Sequence, residues 1–228
     1  MRSTRKTGEQ QEVIIMAKRK KKINTNDNLT KMVFAAVFGA LIILMTFTGI
    51  GYIPIGPLKL TINVLPVAVG AVMLGPMYGA ILGGVFGLSS FFTCFGMDPL
   101  GGVLLGINPF LLFVMCVVPR VVCGLVPGIL MTFFPQKGAG QIAGTAISCV
   151  LTPILNTIGF LTLMWLFFAE PLTHDPQILN MLKGTIIENL FMLFALFAGT
   201  NAIVEAATCL VLGTAICKAL FVVKGRMS

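Results

Sequence analysis

The chain has 228 residues, of which 57% are hydrophobic and 11% charged, and its mean hydropathy is +0.97. Soluble domains carry roughly 25% charged residues, so this composition cannot cover a water-facing surface and excludes a soluble globular protein. The net charge of +8 does not indicate nucleic acid, because the basic residues gather at the two ends of an apolar chain, as cytoplasmic flanks beside anionic lipid do.

Residues 1–28 are polar and basic, with Arg2, Arg5, Lys6 and a run from Lys18 to Lys22. They lack an apolar core and are not expected to act as a cleavable signal. "MAKRKKKINTND" from Met16 resembles an ordinary start, and no function is placed on Met1–Ile15. A transmembrane helix needs about 20 apolar residues to cross roughly 30 Å of hydrocarbon. The apolar runs predict six spans: Leu29 to about Ile50, a short one from about Ile62 to Leu74, Met77 to about Phe95, about Phe110 to Phe134, about Ile142 to Phe168, and about Leu182 to Leu220. The expected organisation is a basic cytoplasmic segment (1–28), an all-α transmembrane domain built as a compact six-helix bundle (29–220), and a basic cytoplasmic tail (221–228).

The connections support one topology. "PQKGAG" at 135–140 is a tight turn with Lys137, whereas "FGMDPLGGVLLGINP" and "AEPLTHDPQ" are longer and carry Asp98, Glu170 and Asp175 but no lysine or arginine. With the N-terminus inside, six spans return the C-terminus to the cytoplasm, the Lys137 turn falls inside and both acidic loops fall outside. Lys59 and Lys183 are exceptions. An interfacial lysine of this kind snorkels, although Lys59 near the outer mouth could also attract an anion.

Within the first span, Ala36 and Ala40 stand four residues apart with Gly39 beside them, a spacing that lets another helix approach closely. Packing inside the bundle would use the same residues. Arg120 sits in "VVPRVVCG", about ten positions into the fourth span and near mid-membrane, where insertion scales charge about 3 kcal/mol for arginine. Pro119 before it removes a backbone donor and predicts a bend. Two readings stand for Arg120: an ion pair with Glu188, or a guanidinium offered to an anionic ligand, with Glu188 yielding when ligand arrives. Asn156 in "LTPILNTIG" falls at a similar depth on the fifth span. Glu188 and Asn189 enter the last span from outside, Thr61 and Asn63 begin the second, and Asn108 begins the fourth. Polar groups from several spans therefore converge on the outer half of the bundle, which suits a pocket for a small polar molecule better than a pore. Glu205 and Asn201 lie deeper, and Glu205 reads as a helix–helix or interfacial contact.

Six cysteines fall in or beside apolar runs without a CxxC pair and read as small core hydrophobes. His174, the single histidine, lies in a polar connection. That leaves little material for a metal site or for acid–base catalysis, and neither a metal nor a cofactor is expected.

"FTGIGYIPIGPLKLTINVLPVAVGAVMLGPMYGAILGGVFGLSS" resembles the second-to-third-span region of substrate-binding S components of energy-coupling factor (ECF) transporters. "IPIGPLKLTINVLPV" followed by "GLSS" is most similar to the pantothenate-specific members. The resemblance implies a non-enzymatic, vitamin-binding subunit of an ABC importer in a prokaryotic plasma membrane. Its partners would be a membrane coupling subunit of the EcfT type and two cytoplasmic ATPase subunits, and this chain contains no GxxxxGK[ST] phosphate loop. It also implies that Ala36 and Ala40, with Gly39, face the coupling subunit, and that the stretch from Gly49 to Val64 is an external loop covering the vitamin. "LGPMYG" would be a cytoplasmic turn, and Gly79, Gly83, Gly84 and Gly87 a bare packing face. The family further implies that the S component topples in the membrane as a nearly rigid body.

Pantothenate carries a carboxylate, an amide and two hydroxyls on a small branched body. Arg120 could hold the carboxylate and Asn156 the amide or a hydroxyl. Trp165, Phe92 and Met115 are candidate apolar wall, although such residues more often serve as core or interface anchors. The alternatives are an S component for another small vitamin or precursor such as folate or riboflavin, and an ATP-independent secondary transporter. The latter would need a proton relay or an inverted repeat, and Glu188 and Glu205 stand too far apart along one helix to transfer a proton directly.

Overall fold

The computed structural model describes residues 28–48, 51–55, 58–135, 137–174 and 202–227. Five described helices are long and apolar enough to cross a membrane: α1 (Asn28–Thr48), α3 (Pro76–Thr93), α5 (Pro109–Thr132), α6 (Ala139–His174) and α7 (Ala202–Val222). Between them lie two short helices, α2 (Val64–Leu74) and α4 (Pro99–Ile107). A hairpin of strands β1 (Tyr52–Ile55) and β2 (Leu58–Thr61) stands between α1 and α2. The sequence expectation of a plain covering loop is corrected here. "YIPI" and "LKLT" pair antiparallel, with Tyr52 opposite Thr61 and Ile55 opposite Leu58. Two strands have only edges, so Pro54 costs no interior ladder bond. The hairpin is anchored at its base, where Ile62 N–H donates to the Gly51 carbonyl at 2.9 Å and Gly51 N–H donates to Met45 at the end of α1 at 3.0 Å.

The expected second span corresponds to α2. Its 11 residues rise about 16 Å, roughly half the hydrocarbon thickness. Protein surrounds it instead of lipid, and all of its residues but Leu65 and Met73 are buried. Val64, Val67, Ala68, Val69 and Val72 form the centre of the main core, with Ile42 of α1 and Leu82 and Phe86 of α3. A short helix is tolerated at membrane depth when other helices satisfy its surroundings. At the far end of α2, Gly75 takes φ +98°, a left-handed conformation that glycine adopts without penalty. Pro76 then opens α3 at a position where its missing N–H costs nothing.

α3 lies antiparallel against α5 at backbone contact. A Cβ added to Gly79 would collide with the Gly124 carbonyl, one on Gly83 with the Arg120 carbonyl, and one on Gly87 would come within 2.8 Å of the Val117 Cα. A Cβ on Gly128 would come within 2.6 Å of the Pro76 Cα. The every-fourth-residue glycines of α3 are therefore the seam itself. Gly84 turns away from it, and an added Cβ there would meet nothing nearer than the Val121 Cγ2 at 3.7 Å.

Two further segments depart from expectation. The connection read as a loop after α3 contains α4, which begins with Pro99 in its first turn and buries Gly101 and Leu104. Leu104 joins Leu112, Met115, Cys116, Met164 and Phe168 in a second core cluster. The helix also continues beyond the expected end of the fifth span. At Phe168 the backbone leaves helical geometry (φ −128°, ψ 18°) and then resumes helix as far as His174. Pro171 falls in the first turn after the break, where its missing N–H is tolerated. α7 contains a π-helical turn at Cys209–Gly213, and the helix then runs through Thr214–Met227, past the end of the apolar span at Val222. All six cysteines are buried free thiols.

Candidate binding site around Arg120

α5 is held on one side by α3 and on the other by α6. The second seam closes where proline meets glycine: a Cβ on Gly159 of α6 would stand 2.9 Å from the Pro119 Cβ. Pro119 lacks the N–H that would continue the helix ladder, and the next residue, Arg120, is buried at 8% exposure. Its guanidinium folds back along α5 and one Nη donates to the Cys116 carbonyl at 2.6 Å. Its central carbon stands 4.8 Å from the Phe86 ring centre and 5.5 Å from that of Phe160, so the cation lies between aromatic rings of α3 and α6. The Nε–H is buried and has no hydrogen-bond partner among the described residues.

On α6, Asn156 lies one turn before Phe160 and is also 8% exposed. It ends a stripe of buried polar residues that includes Thr145, Ser148 and Thr152. The hydroxyls satisfy themselves on backbone carbonyls: Ser148 donates to Pro127 of α5 at 3.2 Å and Thr152 to Ser148 at 2.9 Å. An amide oxygen in mid-helix has no such option, because every nearby N–H is already committed to the helix. The Asn156 Oδ1 is accordingly buried without a partner among the described residues.

Asn63 shows the same imbalance. It is fully buried at the start of α2, and its amide donates to the Thr46 hydroxyl at 2.9 Å while Thr46 donates to the Ile42 carbonyl at 2.8 Å. Its Oδ1 faces Gly51 at the hairpin base and has no partner among the described residues. Each buried polar atom left unpaired costs about 1–3 kcal/mol. Arg120, Asn156 and Asn63 thus each hold one buried polar atom without a partner among the described residues, one donor and two acceptors in all.

The other expected residues are placed differently. Asn108 caps α5, its Oδ1 accepting from Phe110 and Leu111 N–H at 3.1 Å each. It stands 12 residues before Arg120, or about 18 Å along the helix, and is not brought beside it. Trp165 is half exposed on α6 and Phe92 is 58% exposed, so neither walls an interior pocket, whereas Met115 is buried in the second cluster. Thr61 ends β2, but its side chain and that of Lys59 lie outside the described residues, as do Glu188, Asn189, Asn201 and Lys183. Glu205 is buried in α7 one turn before its π-helical segment. On α1, Ala36 and Ala40 are exposed on the outer face, while Gly39 turns inward against Leu82 and is not brought onto that face.

The sequence reading overlooked Phe86, Phe160 and Thr46. Phe160 follows Asn156 by four residues and so shares its helix face, a signal that was available. Thr46 and Phe86 gave no such signal, because a threonine or a phalanine-type ring inside a span carries no mark of its partner until the helices are packed.

An apolar helical bundle around a buried, incompletely paired arginine is what a membrane-embedded binding subunit requires. The chain belongs to the ECF transporter substrate-specific component family, whose model matches residues 30–217. It is a multi-pass membrane protein of a transporter family and not of an enzyme family. It is similar to the "Pantothenic acid transporter PanT" of Lactococcus lactis subsp. cremoris (strain MG1363), with 31% identity over 175 residues, covering 72% of this chain and 79% of that protein. It is also 31% identical over 182 residues to the "Pantothenate transporter PanT" of Leuconostoc mesenteroides subsp. mesenteroides, covering 72% of this chain and 85% of that protein.

Proposed function

We propose that this chain captures pantothenate from outside the cell and passes it through an ECF coupling subunit driven by two cytoplasmic ATPase subunits. Arg120 supports this reading most directly: a buried guanidinium set between Phe86 and Phe160, its Nε–H without a partner among the described residues. A carboxylate would give that donor a charge-assisted bond in a low-dielectric site. The acceptors at Asn156 and Asn63 suit ligand donors, and pantothenate has an amide N–H and two hydroxyls. Donor and acceptor complement therefore match in kind. The names of the two relatives support the same vitamin. The topology that fits this reading is six spans with both ends cytoplasmic, α2 serving as the short second span beneath the hairpin.

Equilibrium titration of labelled pantothenate onto the purified protein, without ATP or partners, tests the reading. Saturable binding at about micromolar Kd or tighter (about −8 kcal/mol) is expected. No binding would remove pantothenate and leave another small vitamin to be sought among co-purifying molecules.

The outer face of α1 is the proposed surface for the coupling subunit. Ala36 and Ala40 are exposed there among Met32, Val33 and Val37, and small residues in such a row admit a close-packed helix. Ala36→Trp is expected to abolish ATP-driven uptake while leaving pantothenate binding unchanged. Loss of binding as well would assign Ala36 to the fold instead.

A further inference from the structure

Two clefts run one after the other along the seam between α6 and α7. The first, about 460 Å³, opens where α6 begins and α7 approaches its end; its lining includes Gln141, Ile142, Thr145, Thr214, Lys218 and Phe221. The second, about 310 Å³, continues the seam deeper into the bundle's apolar zone between Ala146, Ile147, Val150, Leu151, Ile154 and Leu210. The first is mixed in character and the second is wholly apolar. Gln141 to Ile154 spans 13 residues, or about 20 Å, a little more than half the roughly 30 Å hydrocarbon core.

Charge separates the two parts further. Lys218 is exposed in the first cleft, and among the described residues no acidic side chain lines it. Lys137 stands in the turn that leads into α6 at the same end. Thr145 and Thr214 donate their hydroxyl protons to their own helices, at Gln141 and Leu210. The donors that remain for an occupant are the Lys218 ammonium and the Gln141 amide. Exposed apolar side chains flank the seam, among them Ile142, Ile147, Leu210 and Val222. The seam thus has a cationic donor end and an apolar channel of acyl-chain length.

We propose that the α6–α7 seam is a binding site for an anionic phospholipid, its headgroup phosphate on Lys218 and Gln141 and one acyl chain along the Val150–Ile154 groove. A basic cleft between membrane helices recognises anionic headgroups in this way. The site is separate from the Arg120 seam, so occupation of one does not require the other.

The test is binding of phosphatidylglycerol and phosphatidylcholine to the full chain in neutral detergent, followed by native mass spectrometry and thermal unfolding. Phosphatidylglycerol is expected to bind more tightly than phosphatidylcholine. Lys218→Gln should weaken phosphatidylglycerol by about fivefold, the worth of one basic residue at an anionic surface, and leave phosphatidylcholine unchanged. Val150→Trp, which fills the apolar groove, should weaken both lipids. Retained pantothenate binding in each variant shows that the fold is intact. Equal binding of the two lipids, or a phosphatidylglycerol preference that survives Lys218→Gln, overturns the proposal and leaves the seam to a protein partner or to bulk lipid.

Discussion

The two faces of α5 solve opposite problems. Toward α3 it makes contact at the level of the backbone: Gly79, Gly83 and Gly87 leave no room for a Cβ, and the Arg120 and Gly124 carbonyls come directly against them. Toward α6 Pro119 packs on Gly159, and near that contact Arg120 and Asn156 keep polar atoms unpaired among the described residues. The first seam removes freedom and the second keeps bonding capacity in reserve. The close-packed side also presets the site, since the Arg120 backbone that closes on Gly83 carries the guanidinium that lies between Phe86 and Phe160. A site held on a rigid element loses less freedom when ligand binds.

The largest expected effect comes from breaking the rigid seam. Gly83→Val should destabilise by about 1–3 kcal/mol or more through overpacking against backbone that cannot move aside, read as loss of folded protein on size-exclusion chromatography and a lowered unfolding temperature. Pantothenate binding should fall with it. On the other seam, Arg120→Leu should reduce pantothenate affinity by about 10- to 150-fold, the worth of a charged hydrogen bond, without lowering the unfolding temperature, because an incompletely paired buried cation has been removed. Asn156→Leu should cost about 2- to 13-fold in affinity, as one neutral hydrogen bond does. Gly84→Ala should leave binding unchanged and raise stability by about 0.4–1 kcal/mol, since an added Cβ would meet only the Val121 Cγ2 at an ordinary contact distance. An effect of Gly84→Ala as large as that of Gly83→Val would erase the distinction between a seam glycine and a merely helical one.

Much of this arrangement was legible in the sequence because membrane helices are set by length and apolarity. The observed starts and ends of α1, α3 and α5 fall within a few residues of those expected. Arg120 after Pro119 also stood out, because a charge at mid-membrane is too costly to be incidental. The hairpin and α4 were less legible. "YIPIGPLKLT" contains prolines and glycine that read as loop, and its strands exist because two short segments meet across a turn. α4 is nine residues long, too short for a helical period to stand out, and Asn108 followed by Pro109 was a capping signature read as a pocket residue. Orientation was out of reach for Gly39. Spacing puts it beside Ala36 and Ala40, yet only packing against Leu82 shows that it faces inward.

The central claim is that Arg120 recognises a carboxylate. The most direct measurement is a four-way titration of pantothenate and pantothenol, the analogue with a hydroxymethyl group in place of the carboxylate, against the unaltered protein and Arg120→Leu. If Arg120 holds the carboxylate, the unaltered protein prefers pantothenate by at least tenfold, and Arg120→Leu binds both ligands with nearly the affinity the unaltered protein has for pantothenol. A preference for pantothenate that survives in Arg120→Leu would contradict it and would leave Arg120 as a structural cation between two rings.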